Sequence, residues 1–480
     1  MPITAKRNTL EKDAISPLIE EIELKPTPSE IVRIFEDAPY TSLFESQMDH
    51  GKLGRFSILC SDPFMVFKSN GREAHLISGK GERLLNGNPF KLLKELLAKY
   101  KIPAQEASLP FYGGVVGFFG YDMGRCLEKI PSMAKNDLKA PECILGFYDR
   151  ALIFDHLMNK KYVVSSGLPE SNPEKAKRRA KARLEELKEI LSLSIDTRAS
   201  STRKRKPPKL SSNFTKATYR QAIGRIKDYI AAGDVYQVTL SQRFDCELRV
   251  KPAELYRRLK AINPAPFASF LNFEDVKIVS SSPERFISIR DGEVHTRPIK
   301  GTSPRGSSTK EDDSFKELLK ASQKDRAEHV MIVDLERNDL GRVCEYGSIS
   351  VSEFELIEKY STVFHMVSTV RGKLREGKDA IDCLMNSFPG GSITGAPKIR
   401  SMEVIEELEP TRRSVYTGAI GYIGFDGNMD TSIVIRTFII KGKKVYFQVG
   451  GGIVWDSDPD AEYQETLDKA KALIEVISNG

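Results

Sequence analysis

No two of the six cysteines (Cys60, Cys126, Cys143, Cys246, Cys344 and Cys383) stand close together in the chain. Without a CxxC pair neither a zinc site nor a redox dithiol is indicated, and scattered thiols suit a reducing compartment. There is no Gly-x-Ser-x-Gly elbow, Walker A loop or Gly-x-Gly-x-x-Gly fingerprint, so the common hydrolase, nucleotide and nicotinamide signatures are missing. Apolar runs fall well short of a membrane span. The N-terminus lacks the apolar stretch of a signal peptide and carries Glu11, Asp13, Glu20 and Glu21 instead. A cytoplasmic protein with no membrane association is expected.

An excess of charge of one sign is also lacking. The 73 Lys and Arg against 66 Asp and Glu leave +7 over 480 residues. That is modest, and no helix-turn-helix, RNA-recognition or zinc-finger spacing accompanies it, so no nucleic-acid partner is expected. A hydrophobic content of 40% with 29% charged residues is that of an ordinary globular chain. Its length admits roughly two to four domains or one interwoven unit.

Three regions can be drawn. Residues 1–165 mix short strand-like and helix-like runs. Among them are a helix over 90–100, with Leu92, Leu93, Leu96 and Leu97 on one side, and a glycine-rich apolar segment over 110–121. Residues 166–213 read as a charged helix and linker. Asn172-Pro173 supplies an N-cap and first helical position, and Pro207-Pro208 lies in a Ser/Thr/Lys/Arg-rich stretch. The basic run at 203–206 has no interleaved aromatics and reads as solvated.

Signals sharpen over 214–480. Tyr219, Ile223, Ile226 and Ile230 recur at helical spacing. From Tyr236 to Leu248 apolar and polar residues alternate, which predicts a half-buried strand. Further strands are predicted over 276–289, 417–425, 432–440 and 444–449, with hairpins at Asp291-Gly292, Asp426-Gly427 and Lys441-Gly442. The expected fold class is α+β with large antiparallel sheets.

Several residues can carry chemistry. In Arg297-Pro-Ile-Lys-Gly-Thr302, glycine lets a ligand approach the backbone closely, and Lys300 reads as a nucleophile or as a structural ion-pair lysine. Asp325 with Glu328, and Glu462 with Glu465, stand at i,i+3 spacing on predicted helices; Lys469 follows one turn later. Four oxygen donors without His or Cys suit Mg²⁺ better than zinc, while each pair alone also reads as a solvated face. Gly450-Gly-Gly452 is an anion-binding backbone or a strand bulge. Arg436 is a carboxylate clamp or a plain strand arginine. His365, in Val363-Phe-His-Met-Val367, is a core histidine or an acid/base group.

Taken in order, the motifs resemble the chorismate-utilising enzyme family. The resemblance rests on Tyr236-Gln-Val-Thr-Leu-Ser-Gln-Arg-Phe244, Ser281-Ser-Pro-Glu-Arg285, Arg297-Pro-Ile-Lys-Gly-Thr302, Val333-Asp-Leu-Glu-Arg-Asn-Asp-Leu-Gly-Arg342, Gly395-Ala-Pro-Lys398 and Ala461-Glu-Tyr-Gln-Glu-Thr466. It is strong from about 215 onward. Leu43-Phe-Glu-Ser46, Gly54-Arg-Phe-Ser57 and the 110–121 segment extend it more weakly into the N-terminal region. It implies packed antiparallel sheets surrounded by helices, with 214–480 as the chorismate-binding catalytic region.

The resemblance also implies a site. Glu328 and Glu465 would bind Mg²⁺, which holds a chorismate carboxylate, with Asp325 and Glu462 in the same shell. Asp325 stands where relatives often carry glutamate. Tyr422, Arg436, the backbone of Gly450, Gly451 and Gly452, Gly301, Thr302 and Lys469 would surround the substrate's carboxylates and ring. His365 would sit close to the reacting ring. Ser46, Pro266, Phe267 and Ala268 resemble a tryptophan pocket.

Two positions choose the reaction within the family. Gln237 stands where water-adding relatives carry a lysine base, so ammonia is the implied nucleophile. Lys300 stands where anthranilate-forming relatives carry alanine, and it matches the branch that makes 4-amino-4-deoxychorismate. In that chemistry Lys300 attacks ring C2 as the C4 hydroxyl departs, and ammonia then adds at C4. Ser303 replaces the arginine usual after Gly-Thr, leaving Arg305 as the nearest cation. No Gly-x-Cys-x-Gly motif occurs, so a separate glutamine amidotransferase subunit would supply ammonia, and a separate lyase would complete 4-aminobenzoate for folate. The competing expectations are anthranilate formation and a non-catalytic homologue that binds chorismate or tryptophan.

Overall fold

The computed structural model of the chain describes residues 15–46, 53–105, 109–192, 208–360 and 363–478. The basic run at 203–206, and Glu11 and Asp13, lie outside the described residues. Among the described residues no helix is long and apolar enough to cross a membrane.

Among the described residues the strands assemble into two antiparallel 12-stranded sheets. Asp291 and Gly292 both adopt left-handed backbone, φ 51° and 81°, as a tight hairpin turn between Arg285–Arg290 and Glu293–Arg297 requires. The sheets face one another across an apolar layer. Val66, Phe118 and Ile144 of one sheet meet Leu271, Ile278 and Ile439 of the other. Helices cover the outer faces: Leu184, Leu255, Leu259 and Leu473 close one side, and Phe90, Leu93 and Leu384 the other. The helix Pro89–Ala98 begins where Asn88 accepts from the Phe90 amide at 3.0 Å, with proline at its first position.

Both sheets draw strands from both ends of the chain. Thr41–Glu45 pairs with Phe267–Asn272, and Gly114–Phe119 pairs with Ala419–Gly424. Residues before 165 and after 214 therefore complete each other's sheets. The helix Pro173–Ser192 packs Leu184 and Leu187 into the outer core between them in sequence.

Three expectations change in detail. The strand Gln237–Glu247 is buried on both faces over its first eight residues, not half-buried. Part of its polar face is paired, Ser241 with Glu409 at 2.7 Å and Arg243 in an ion pair with Asp137, while Gln237 is not. The predicted strand over 276–289 is two strands, Lys277–Ser282 in one sheet and Arg285–Arg290 in the other. The run over 432–440 divides likewise, into Met429–Ile433 and Thr437–Lys441. Pro283 breaks the first, since it cannot donate to a ladder. Arg436, with φ 52°, breaks the second.

Candidate active site

The two breaks lie side by side. The Ser281 amide donates to the Arg436 carbonyl, and the Ile433 amide to the Glu284 carbonyl, both at 3.1 Å. Here the chain steps from one sheet to the other twice, and Glu284 and Arg436 occupy the steps.

Lys300 reaches this place from Ile299–Pro304, which pairs with Val363–Lys373. The register slips between Lys300 and Thr302, at Gly301 with φ 78°, so a bulge re-aims the lysine. Its side chain is 15% exposed and its Nζ is 3.9 Å from Glu328 Oε2. Burial pushes the amine below the ordinary lysine range; Glu328 opposes that shift and Lys469 adds to it. A Cβ at Gly452 would lie 2.7 Å from Gln237 Nε2 and 3.2 Å from Lys300 Nζ, so glycine keeps this corner open. Neither amide atom of the fully buried Gln237 has a hydrogen-bond partner among the described residues. Such a group costs about 1–3 kcal/mol, and a bound ligand would recover it.

Both predicted carboxylate pairs are helical and converge. Asp325 and Glu328 open the helix Gln323–Gly341, capped by Ser322, which accepts from the Asp325 amide at 3.2 Å. Glu462 and Glu465 open the helix Pro459–Ser478. Lys324 of the first helix acts electrostatically on both Glu462 and Glu465 of the second. A Cβ at Gly451 would lie 3.2 Å from Glu462 Oε2 and 3.7 Å from Glu465 Oε1. Lys469 bonds Glu465 at 2.6 Å and the Gly450 carbonyl at 2.9 Å. Burial resists the ionisation of Glu465, but Lys469 outweighs it and holds the carboxyl below its usual range. Glu462 goes the other way, pushed up by burial against the Ser457 hydroxyl bond.

Among the described residues no three His, Cys, Asp or Glu side chains close to metal-binding spacing. Lysines stand among these carboxylates instead. The donor set, four carboxylates on two facing helices without sulfur or imidazole, fits a hard divalent cation by its chemistry.

Thr302 and His365 are paired across the bulged ladder, Oγ1 to Nδ1 at 2.9 Å. Burial, with Arg436 second, takes His365 down to about 3, so it is a neutral imidazole at physiological pH. The Arg436 guanidinium donates to the Lys469 carbonyl, which ties the crossover to the carboxylate helix. Burial lowers Arg436 as well, opposed first by Tyr416.

Tyr422 is not brought to this group. It contacts Phe44 and Phe111 and lines a separate cavity. Tyr416, six residues earlier, is the tyrosine that acts on Arg436. Arg305, the cation nearest to Ser303, is held by Asp312, 2.8 Å from Nε to Oδ1, and stacks over Phe364.

Four residues without an assigned role also enter the site. Burial lifts Glu284 to about 7, against the Ser392 hydroxyl, which donates to it at 2.6 Å, and against Lys300. Further along the Gln323–Gly341 helix, Glu336 and Asp339 form a third i,i+3 acidic pair. Lys398 pairs with Asp339 at 2.5 Å, and burial raises both carboxyls. Their signal was present in the same spacing that marked Asp325 and Glu328.

The separate cavity, about 310 Å³, is lined by Ser46, Pro266, Phe267 and Ala268 as well as Tyr422 and Arg285. The four residues of the expected tryptophan pocket thus meet across the Thr41–Glu45 and Phe267–Asn272 pairing. The Ser46 hydroxyl is buried without a partner among the described residues.

Comparison with known proteins identifies the family and the fold. Residues 43–475 match the model of the chorismate binding enzyme family. The chain is 42% identical to anthranilate synthase component 1 of Pseudomonas aeruginosa, covering 94% of this chain and 93% of that one. It is 40% identical to aminodeoxychorismate synthase component 1 of Escherichia coli, over 92% and 93%. The crystal structure of anthranilate synthase component I from Streptococcus pneumoniae superposes with a TM-score of 0.79 at 33% identity, covering 89% of this chain and 94% of that one. With its sheets, crossovers and carboxylate helices in this arrangement, the chain belongs to the chorismate binding enzyme family.

Proposed function

We propose that this chain is component I of an aminodeoxychorismate synthase, converting chorismate and ammonia to 4-amino-4-deoxychorismate through a covalent bond to Lys300. The observation that carries this reading is a largely buried lysine amine, lowered by that burial, beside the unpaired amide of Gln237. Relatives of both kinds, anthranilate synthase and aminodeoxychorismate synthase, lie near 40% identity, so likeness alone does not choose between them.

The neutral Lys300 amine attacks ring C2 while the ring double bonds shift and the C4–O bond breaks. Glu284, which carries a proton up to about pH 7, gives it to the departing hydroxyl, forming water. Ammonia, met by the Gln237 amide, adds at C4 and the C2–N bond to Lys300 breaks. The proton lost by the new ammonium returns to Glu284, which closes the cycle. Arg436 and Lys469 take the substrate's carboxylates, and the Gly450, Gly451 and Gly452 backbone lets them approach. The neutral His365 donates or accepts one hydrogen bond at the ring without adding charge.

Glu328 and Glu465 would hold Mg²⁺, with Asp325 and Glu462 behind them. When bound, that ion supplies positive charge for a substrate carboxylate. A glutaminase subunit is the proposed ammonia source, and the cytoplasm the proposed compartment. Tryptophan is the proposed ligand of the second cavity, on the strength of its lining and the unpaired Ser46 hydroxyl.

Intact-protein mass spectrometry tests the covalent step. With chorismate and Mg²⁺ but no ammonium, the chain should gain the mass of chorismate less one water, mapped to Lys300. Turnover with ammonium present, but no such adduct when ammonium is withheld, favours direct amination and the anthranilate reading.

A further inference from the structure

An ion pair that touches no substrate-facing group links three parts of the site. Arg413 and Glu409 are each 2% exposed. Arg413 Nη2 lies 2.8 Å from Glu409 Oε1, and Nε lies 3.1 Å from Oε2. The guanidinium also donates to the Thr239 carbonyl at 2.7 Å, the Ile393 carbonyl at 2.8 Å and Thr417 Oγ1 at 3.3 Å. All five of its N–H groups are therefore used, which no lysine can reproduce. Glu409 in turn accepts from the Ser241 amide and hydroxyl at 2.9 and 2.7 Å. The guanidinium carbon sits 4.9 Å from the Tyr121 ring centre and 5.9 Å from that of Tyr416.

Each anchor neighbours a residue of the site. Thr239 shares the buried end of its strand with Gln237. Ile393 follows Ser392, whose hydroxyl bonds Glu284. Tyr416 acts on Arg436. A buried ion pair adds little net stability over well-packed apolar side chains, so its effect is better sought in geometry.

We infer that Arg413, held by Glu409, is a positioning residue for chorismate amination, fixing Gln237, the Ser392–Glu284 hydrogen bond and Tyr416 relative to one another. This rests on the proposed role of Glu284 as proton donor. When the clamp loosens, the 391–393 turn moves and Ser392 no longer donates to Glu284. The carboxyl then keeps its proton to higher pH. The other groups that face Glu284 are Lys300, Glu336 and Tyr360, all unaltered by substitution at the clamp.

The test is the pH profile of chorismate consumption, with ammonium and Mg²⁺, for the full-length wild type and for R413K, E409D and S392A. R413K and E409D should lower kcat about tenfold or more while KM for chorismate stays within about threefold. Their alkaline limb should move to higher pH, in step with S392A. A folded R413K or E409D whose limb stays at the wild-type position overturns the inference. So does loss of folding in both, which would make the pair's role purely structural. Because chorismate loss is followed, a wild type that makes anthranilate refutes the product assignment and leaves this comparison intact.

Discussion

Glu284 and Arg436 stand at the two points where the chain passes between the sheets, their segments joined by two backbone hydrogen bonds of 3.1 Å. Residues at such steps leave the ladder, so their side chains are not bound to its alternation between faces. That puts a buried carboxyl and a half-buried guanidinium beside the bulge that aims Lys300. The chemistry sits where the sheet pattern is interrupted.

Glu284→Gln should stabilise the protein at high pH while abolishing turnover. A carboxyl raised by burial from 4.5 to about 7 binds its proton more tightly folded than unfolded. Its cost to stability is therefore absent below about pH 4.5, grows through the window to about 7, and is constant above. Denaturant unfolding should show the variant more stable by about 3 kcal/mol at pH 8 and unchanged at pH 4. Equal differences at both pH values would contradict it.

Lys300→Ala should reduce amination by about 100-fold or more, near 3 kcal/mol of barrier. In the wild type, activity should fall as pH drops and the amine is protonated. That acidic limb should lie below the range of a free lysine, because burial lowers this amine. Steady-state rates against pH measure it; a limb at the free-lysine value would refute the role.

Chelation should stop turnover and Mg²⁺ should restore it. Asp325→Asn should raise the Mg²⁺ concentration needed for chorismate binding by about 10- to 100-fold, as loss of a supporting carboxylate does. Calorimetric titration with chorismate at several Mg²⁺ levels reads this. Binding indifferent to Mg²⁺ would leave the carboxylates as ion-pair partners of Lys324, Lys300 and Lys469.

Ser46→Ala should weaken tryptophan binding by roughly tenfold, the worth of one hydrogen bond, without altering chorismate affinity. Isothermal titration with each ligand checks both. Failure of tryptophan to bind the wild type would assign the cavity to another occupant.

Much of this was legible in the sequence because it is local. Helical i,i+3 spacing put each carboxylate pair on a helix, as the structure has them, and Gly301 marked a point where the backbone departs from the ordinary. What escaped was set by long-range contacts. The expectation for Tyr422 failed because its strand turns that ring toward Phe44, while Tyr416, just outside the strand, meets Arg436. The alternation from Tyr236 to Leu248 implied a wet face, but Glu409 and Asp137 arrive from distant segments to pair its polar residues. Glu284 stood within the Ser281–Arg285 motif, but its burial gave no local sign, since it depends on the crossing that Pro283 begins.

The most direct measurement is the identity of the product. Purified chain with chorismate, Mg²⁺ and an ammonium salt should yield, by mass spectrometry, an aminated product that keeps its enolpyruvyl group. Accumulation of anthranilate and pyruvate would contradict the assignment and make Lys300 an ion-pair residue of an anthranilate synthase.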